Sequence, residues 1–303
     1  MTLPIRQGLF AREVTGMELK CIAQRVGRLS SFLLGELKMS AGLMNRLKWT
    51  EAIQVNGFPA HTDYAVKPGD VITVLLDEPE PDYPAEAGEL TVLYEDEHLL
   101  AVDKPAGMLI HPSRSCNTGT LANYVAGYYR KTGQKSAFHP VTRLDRDTFG
   151  VVLLAKNSHV HTLLQSARIR KIYHAYAYGH PEAETGSINA PIARKPLPSL
   201  LREIRKDGKP SVTEYTVLER NEKLCKLALR PITGRTHQLR LHCFHMGFPI
   251  LGDPQYCSEE SKIYSDAAGL FTQQLCAKEL IFEHPITGKT ISLESKLDVV
   301  YHK

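Results

Sequence analysis

Short alternating runs of hydrophobic and polar residues, separated by turn residues, fill most of the chain after residue 90. Apolar and polar positions alternate in KIYHAYAYG, SVTEYTVLER and KELIFEHP, while VVLLA is a continuous apolar run typical of a buried strand. Helical spacing is found in TLANYVAGYYRKT, HVHTLLQSARIRK and THQLRLHCFHMG. Strands are many, helices are few, and strands and helices do not alternate regularly. The pattern predicts an α+β domain over residues 91–303 with a large mixed or antiparallel sheet.

Residues 1–76 have a different pattern, which predicts a small α+β unit. LSSFLLGELKMS and SAGLMNRLKWT are each predicted to contain a short helix, with Ser40 as the N-cap of the second. In AIQVNGFPA, Ile53 and Val55 alternate with polar residues before an Asn-Gly turn, which indicates a β-hairpin. A further strand, VITVLL, follows a Pro-Gly turn.

An acidic segment, residues 77–90, separates these two regions. It contains six Asp and Glu residues, three prolines and no Lys or Arg. Prolines favour extended backbone and the carboxylates repel one another, so the segment is predicted to be a linker. The whole chain has a net charge of +4. Because the acidic residues are concentrated in the linker, both flanking regions are basic, which is compatible with a polyanionic partner such as RNA.

Composition and cysteine spacing argue against several other classes of protein. The six cysteines are scattered and include no Cys-x-x-Cys pair, so neither a zinc site nor a disulfide framework is predicted. His111, His237, His242 and His245 have no accompanying pattern of thiols or carboxylates, and no metal site is predicted from them. No apolar run approaches the length of a membrane span, and no apolar signal core is present. We therefore expect a cytoplasmic protein without a membrane partner.

The stretch HPVTRLDRDTFG, residues 139–150, places four charged side chains directly before the apolar run VVLLA. Asp145 and Asp147 alternate with Arg143 and Arg146. Neighbouring guanidinium groups favour the ionised form of a carboxylate, which is the form that acts as a nucleophile. An ordinary charged surface turn has the same composition. The stretch alone therefore leaves a catalytic and a structural interpretation open.

Four other segments favour the catalytic interpretation, because all five together resemble the RluA family of RNA pseudouridine synthases. They are DKPAGMLIHP, RKIYHAYAYG, RPITGRTHQLRLHCFHMGFPILGDPQY and LCAKELIFEHPITGK, in the family's order over about residues 90–295. The resemblance implies an isomerase, an intramolecular transferase that acts on RNA without a cofactor. It also implies that about residues 15–76 form an S4-like RNA-binding domain, since many members carry such a domain before the catalytic domain.

The resemblance also implies roles for individual residues. Asp145 matches the catalytic aspartate, and Arg240 matches the arginine that pairs with it. Tyr173 matches the active-site tyrosine, whose ring can stack on uracil and whose hydroxyl can join proton transfer at carbon five. Arg143 matches the arginine that fills the gap left by a flipped-out uridine. A covalent adduct of Asp145 and a glycal intermediate both remain possible.

Several other basic residues are candidates for contacts with RNA phosphates. They are Arg168, Arg170 and Lys171 just before Tyr173, Lys38, Arg46 and Lys48 around the second predicted helix, and the basic stretch from Arg202 to Lys209. A solvated loop is nearly as compatible with the first and third groups, and a solvated helix face is the alternative for the second. Ribosomal, transfer and messenger RNA are all possible substrates, and the S4-like unit favours large-subunit ribosomal RNA. A monomer is the default expectation.

Two residues depart from the family signature H-R-L-D-x-x-T-S-G. Thr142 replaces the histidine and Phe149 replaces the serine. Neither position supplies the catalytic carboxylate, whereas Asp145, Tyr173 and Arg240 have the residue types of the family. The departures motivate one alternative function, an RNA-binding or ribosome-assembly factor that has the same fold but no catalytic activity.

Overall fold

The computed structural model describes residues 17–78, 81–113, 116–196, 198–199 and 201–300. They divide into two units. The first contains residues 17–78 with Gly133–Ala137 and Asn157–His159. The second contains the described parts of 81–132, 138–156 and 160–300. None of the helices in these ranges has the length and apolar character that crossing a bilayer requires.

The main sheet of the first unit has four antiparallel strands in the order β1-β6-β3-β4, and β2 pairs separately with β5. The elements of residues 17–78 are β1 (Met17–Ile22), β2 (Gly27–Arg28), α1 (Leu29–Leu34), α2 (Ala41–Leu47), β3 (Ile53–Val55), β4 (Phe58–Pro59), β5 (Ala65–Val66) and β6 (Val71–Leu76). The helices and the sheet enclose one apolar core that includes Leu29, Phe32 and Ile72.

Local sequence signals predicted several structural features of this unit. The Ser40 hydroxyl accepts a hydrogen bond from the Leu43 N–H at 3.1 Å, which confirms the predicted cap of α2. Asn56 and Gly57 have φ angles of 53° and 80°, as the turn of a type I′ hairpin requires. Helix α1 ends at Leu34, so the segment GELKMS that follows it is not helical as the pattern predicted.

The rest of the chain contains ten strands of one sheet, a separate hairpin and four helices among the described residues. In chain order they are β7 (Thr91–Glu95), β8 (Leu99–Lys104), α3 (Leu121–Lys131), β9 (His139–Pro140), β10 (Phe149–Ala155), α4 (Ser158–Gln165), β11 (Arg170–Tyr178), β12 (Thr185–Asn189), β13 (Ile192–Arg194), β14 (Arg202–Ile204), β15 (Val212–Arg220), β16 (Leu224–Pro231), α5 (Gln238–His245), α6 (Glu259–Ala267), β17 (Leu275–Glu283) and β18 (Thr290–Glu294).

The large sheet is mixed, as the sequence predicted. Its main path runs β12-β15-β16-β11-β17-β10-β8-β7, with β18 attached to β17 and β9 attached to β10. Pairing is antiparallel except between β10 and β17. Strand β10 is the predicted apolar run, and Val151–Ala155 are almost completely buried in it. The Asp145 stretch therefore leads directly into a central strand of the sheet.

Three features of the second unit differ from the pattern-based expectations. Helix α4 ends at Gln165 and strand β11 begins at Arg170, so the predicted helix does not extend through RIRK. Helix α6 was not predicted; it begins with a capping box between Ser258 and Ser261. The second unit already begins at Pro81, inside the segment predicted to be a linker.

Residues 81–90 have no regular secondary structure, but they contact helix α3. The Pro84 carbonyl accepts a hydrogen bond from the Asn123 side chain at 2.8 Å. The Glu86 carboxylate accepts the Gly119 N–H at 3.1 Å. Charge repulsion therefore does not keep this acidic segment away from the folded domain, because its carbonyl and carboxylate groups find donors there.

Candidate active site

Asp145 lies on the loop that precedes β10, and this loop is held at several points. The Thr148 N–H donates to the Asp145 carbonyl at 3.2 Å, which closes a turn around the carboxylate. The buried Thr148 hydroxyl accepts from the Gln273 side chain at 2.7 Å. Gly150 has a φ of 107°, and a Cβ there would lie 2.4 Å from the Ala277 carbonyl oxygen. The glycine of the signature thus allows the loop to meet β17 closely.

Arg240 contacts Asp145 from helix α5, which begins 93 residues later in the chain. Its Nη1 donates to Asp145 Oδ2 at 3.1 Å. Its Nε and Nη2 form a bidentate pair with Asp253 at 2.6 and 2.8 Å, and Nη2 also donates to Gln255 at 2.9 Å. Only 5% of the Arg240 side chain and none of the Asp253 side chain is exposed, against 32% for Asp145. Asp253 therefore fixes the guanidinium, which leaves one of its donors for Asp145.

The two oxygens of the Asp145 carboxylate have different surroundings. Oδ2 accepts from Arg240 and lies 4.0 Å from His237 Nε2. Oδ1 accepts no hydrogen bond from the described part of the chain, and the side chain is partly exposed. One oxygen is thus oriented by protein donors while the other is available to a substrate.

The His237 ring connects Asp145 to a second buried contact. Tyr256 Oη accepts the Arg202 N–H at 2.8 Å and lies 3.0 Å from His237 Nδ1. Because Tyr256 Oη already accepts one hydrogen bond, we assign its hydroxyl as the donor to Nδ1; in that tautomer the histidine N–H is on Nε2, which faces Asp145. Burial lowers the pKa of His237, although the charge of Asp145 opposes this shift. A neutral histidine therefore presents an N–H towards the carboxylate.

Tyr173 lies in β11 at a β-bulge and pairs with Leu229 on one side and Ala277 on the other. Burial raises the pKa of its hydroxyl, and the nearby Asp145 charge raises it further. The hydroxyl forms no hydrogen bond with any other described residue. Tyr173 therefore presents a protonated phenol near Asp145 with its donor unused.

Lys104 is a buried residue whose role sequence reasoning missed. Its side chain is completely inaccessible, and Nζ donates to the carbonyls of Pro105, Met108 and Arg146 at 2.9, 2.8 and 2.8 Å. Burial lowers the pKa of Lys104 to about 8, against the opposing charges of Asp147 and Asp145. Lys104 thereby ties the loop of the K-P-x-G segment to the Asp145 loop. The sequence signal that could have identified this role is the position of Lys104 in the K-P-x-G segment.

The two arginines that flank Asp145 in sequence do not pair with it. Arg146 forms a bidentate pair with Asp147 at 3.1 Å instead. Arg143 is exposed, and its charge adds to burial in lowering the pKa of Lys171. Arg143 is therefore near enough to Lys171 for the two charges to repel each other.

The remaining predicted RNA contacts are on exposed surfaces. Arg168 lies between α4 and β11, and Arg170 is the first residue of β11. In the first unit, Lys38 and Arg46 are exposed, and Lys48 Nζ lies 5.5 Å from the centroid of the Trp49 ring. None of these five side chains forms an ion pair with another residue in the described ranges.

The two departures from the family signature have clear places in the structure. The buried Thr142 hydroxyl accepts the Leu153 N–H at 2.9 Å, so this residue retains a local hydrogen bond. Phe149 is half-buried and is the first residue of β10, where it pairs with Cys276 of β17. Neither residue displaces Asp145 from Arg240.

One of the four histidines considered for a metal site, His242, makes its hydrogen bonds within the protein. His242 is buried and bonded to the Thr213 hydroxyl and the Ala190 carbonyl at 2.9 and 3.0 Å. No cluster of three or more His, Cys, Asp and Glu side chains in the part of the chain that the structure describes is arranged to hold a metal ion.

Comparisons with known proteins relate this chain to one group of enzymes. A sequence model for the family described as RNA pseudouridylate synthase matches residues 98–245. The uncharacterised RNA pseudouridine synthase YjbO of Bacillus subtilis is 34% identical over 270 residues, which cover 87% of this chain and 93% of the relative. Ribosomal large subunit pseudouridine synthase C of Vibrio cholerae is 30% identical over 287 residues, covering 89% and 90%.

A solved structure shares the architecture. Human RNA pseudouridylate synthase domain containing 4 is similar with a TM-score of 0.55 and 26% sequence identity. The match covers 68% of this chain and 88% of the human chain.

Proposed function

This chain belongs to the RluA family of RNA pseudouridine synthases, and we propose that Asp145 is its catalytic carboxylate. The protein is an isomerase that forms pseudouridine in RNA. The observation that carries the assignment is the contact of Asp145 with Arg240, a residue 95 positions away that is itself fixed by the buried Asp253. A surface turn has no need of such a buried, bidentate anchor.

The reaction requires a carboxylate beside the sugar. The bond between N1 of uracil and C1′ of ribose breaks, uracil turns, and C5 bonds to C1′; C5 then loses its proton and N1 takes one up, so that the product is an isomer of uridine. Asp145 Oδ1 is the oxygen that meets the sugar, either by attacking C1′ or by removing a sugar proton to give a glycal. Arg240 holds Oδ2 and balances the carboxylate charge throughout.

Tyr173 acts on the base rather than on the sugar. Its ring provides a face on which uracil stacks as it turns. Its raised pKa keeps the hydroxyl protonated, so that it takes part in the transfer of the C5 proton as a hydrogen-bonded relay. Arg143 occupies the gap that the flipped-out uridine leaves in the RNA, and Lys171 contacts a phosphate beside it.

Ribosomal RNA is the substrate class that we favour. A relative at 30% identity is named for the large ribosomal subunit, and we interpret the first unit as an S4-like RNA-binding domain. Arg168, Arg170, Lys38, Arg46 and Lys48 would contact phosphates. The isomerisation adds and removes no atoms or electrons, so we propose an intramolecular transferase that needs no cofactor. We propose that it acts in the cytoplasm as a monomer, since one chain supplies every residue of the Asp145 site.

Base-resolution mapping of pseudouridine tests this function. Purified protein is incubated with RNA from cells that lack it, and the new sites are compared with those made by Asp145→Asn. We expect new pseudouridine with the wild type and none with the variant. Specific RNA binding without modification by the wild type would instead support a catalytically silent RNA-binding factor. Undiminished modification by the variant would contradict the role of Asp145.

A further inference from the structure

A basic cavity adjoins the Asp145 site within the second unit. It has a volume of about 360 Å³ and lies between the hairpin β13–β14, the turn at 207–209 and the loop at 234–236. Four of the side chains that line it are cationic; they are Arg194, Arg202, Lys209 and Arg235. The acidic residue among the lining residues, Asp207, is already paired with Arg205 at 2.5 Å. The cavity therefore has a strong excess of positive charge.

Three of the four cations, Arg194, Lys209 and Arg235, are not neutralised by an ion pair within the described residues. Arg194 and Arg202 are directly opposite partners in the β13–β14 pair. Like charges at opposite positions of an antiparallel pair are destabilising unless something neutralises them. The site is thus arranged for an anion that comes from outside the chain.

The walls of the cavity are fixed before any ligand arrives. The buried Gln238 side chain accepts from the Thr233 hydroxyl and the Arg235 N–H at 2.8 and 3.0 Å, which holds the 234–236 loop. Arg235 Nε donates to the Pro210 carbonyl at 3.3 Å. A Cβ at Gly208 would lie 2.6 Å from the Ile192 carbonyl carbon, so only glycine permits this close approach. Preorganisation of this kind lowers the entropy cost of binding.

The cavity is linked to the catalytic carboxylate by neighbouring residues. Thr236 lines the cavity, and the next residue, His237, has Nε2 4.0 Å from Asp145 Oδ2. On the other side, the backbone N–H of Arg202 donates to Tyr256, which contacts His237. Adjacent residues of one loop, Thr236 and His237, therefore reach the cavity and the catalytic carboxylate.

We propose that this cavity binds the ribose–phosphate unit of the nucleotide next to the target uridine. The inference rests on the proposed role of Asp145 and adds a phosphate-binding subsite to it. Its volume is in the range of small-ligand sites, large enough for a ribose with its phosphate. Arg194, Arg202, Lys209 and Arg235 supply the donors that a phosphate takes. The site explains how the backbone is held while the uridine is extruded, a step that needs fixed flanking nucleotides.

The test compares two double variants of the full-length protein that remove the same charge. Arg194→Gln/Lys209→Gln removes two cations of the cavity. Lys195→Gln/Lys223→Gln removes two exposed cations of the second unit that do not line the cavity. Binding to the RNA used for mapping is measured as a function of salt concentration, and pseudouridine formation is measured in parallel.

We expect the cavity variant to bind RNA ~10-fold or more weakly, and the slope of log affinity against log salt to fall by about 1 to 2. The control variant is expected to stay near the wild type in both. If the two variants have equal RNA affinities and equal salt slopes, the inference is wrong, even if both form pseudouridine. A wild type that forms no pseudouridine, yet shows the cavity-dependent salt slope, would contradict the proposed function and leave the phosphate site supported.

Discussion

The Asp145 site and the basic face of the first unit are both charged, but their side chains are held in different ways. At the Asp145 site, Arg240 is 5% exposed and makes hydrogen bonds to three side chains. On the first unit, Lys38 and Arg46 are exposed, and no described residue forms an ion pair with them or with Lys48. The former charges are fixed by protein partners, whereas no ion pair with a described residue fixes the latter.

The difference indicates what each region can do. Chemistry at a sugar carbon needs a carboxylate within a few tenths of an ångström of its working position, and buried partners provide that accuracy. Flexible cations can bind a polyanion, although each contact adds little to the affinity and is weakened by salt. Substitutions at the first site should therefore affect turnover or stability strongly, and substitutions at the second should affect affinity weakly.

The largest effect is expected from Asp145→Asn. The amide keeps the shape of the side chain but removes the negative charge, so turnover should fall by ~10⁴-fold or more. RNA affinity should stay within a few-fold of the wild type. Single-turnover kinetics and equilibrium RNA binding measure the two quantities. A large loss of affinity would show that the carboxylate is mainly structural and would remove the contrast between the two regions.

The next largest effect is expected from Asp253→Asn, which leaves the buried Arg240 guanidinium without its bidentate partner. We expect the free energy of unfolding to fall by about 3–5 kcal/mol, the cost of breaking a buried ion pair. The matched control is Asp266→Asn, which breaks the exposed pair with Lys262 and should cost about 0–1 kcal/mol. Chemical denaturation of both variants makes the comparison, and equal losses would contradict it.

Lys104→Met should change how the free energy of unfolding depends on pH, because it removes a buried group that titrates. The pKa of Lys104 is lowered from 10.5 to about 8 in the folded protein. Because the folded state binds this proton more weakly, the wild type should gain stability relative to the variant as pH rises from about 8 to 10.5. Linkage limits this gain to about 3 kcal/mol.

Denaturation curves at several pH values measure the gain, with the exposed Lys289→Met as control. A stability difference between Lys104→Met and the wild type that does not change with pH would show that Lys104 titrates normally. Its burial and its hydrogen bond to the Arg146 carbonyl would then not lower its pKa.

The smallest effect is expected from Arg46→Gln/Lys48→Gln. RNA affinity should fall only a few-fold, and the salt slope by about 1 to 2 if both residues contact phosphates. Trp49 is the only tryptophan of the chain and is 76% exposed, so its fluorescence reports RNA bound at this face directly. Lys20→Gln/Lys67→Gln removes the same charge elsewhere on the unit. A fluorescence response that both variants leave unchanged would exclude a phosphate contact here.

Sequence patterns predicted the secondary structure best where a local signal was strong. The Ser40 cap, the Asn56-Gly57 turn and the strand β10 were all predicted from a few adjacent residues. Helical spacing in HVHTLLQSARIRK was misleading after Gln165, because pairing of β11 with β16 and β17 outweighed the helical propensity of those residues. The isolated hairpin β13–β14, which carries the basic cavity, has too weak a periodicity to be predicted.

The sequence by itself determined the family, the order of its motifs and the residue types available for catalysis, since these depend only on which residues are present and in what order. Only the tertiary structure decided that Asp145 meets Arg240 rather than its sequence neighbours Arg143 and Arg146. It also brought Lys104 beneath the Asp145 loop and gathered the basic cavity from three separate segments. The physical reason is that hydrogen bonds and ion pairs depend on distance in space, which local spacing cannot specify.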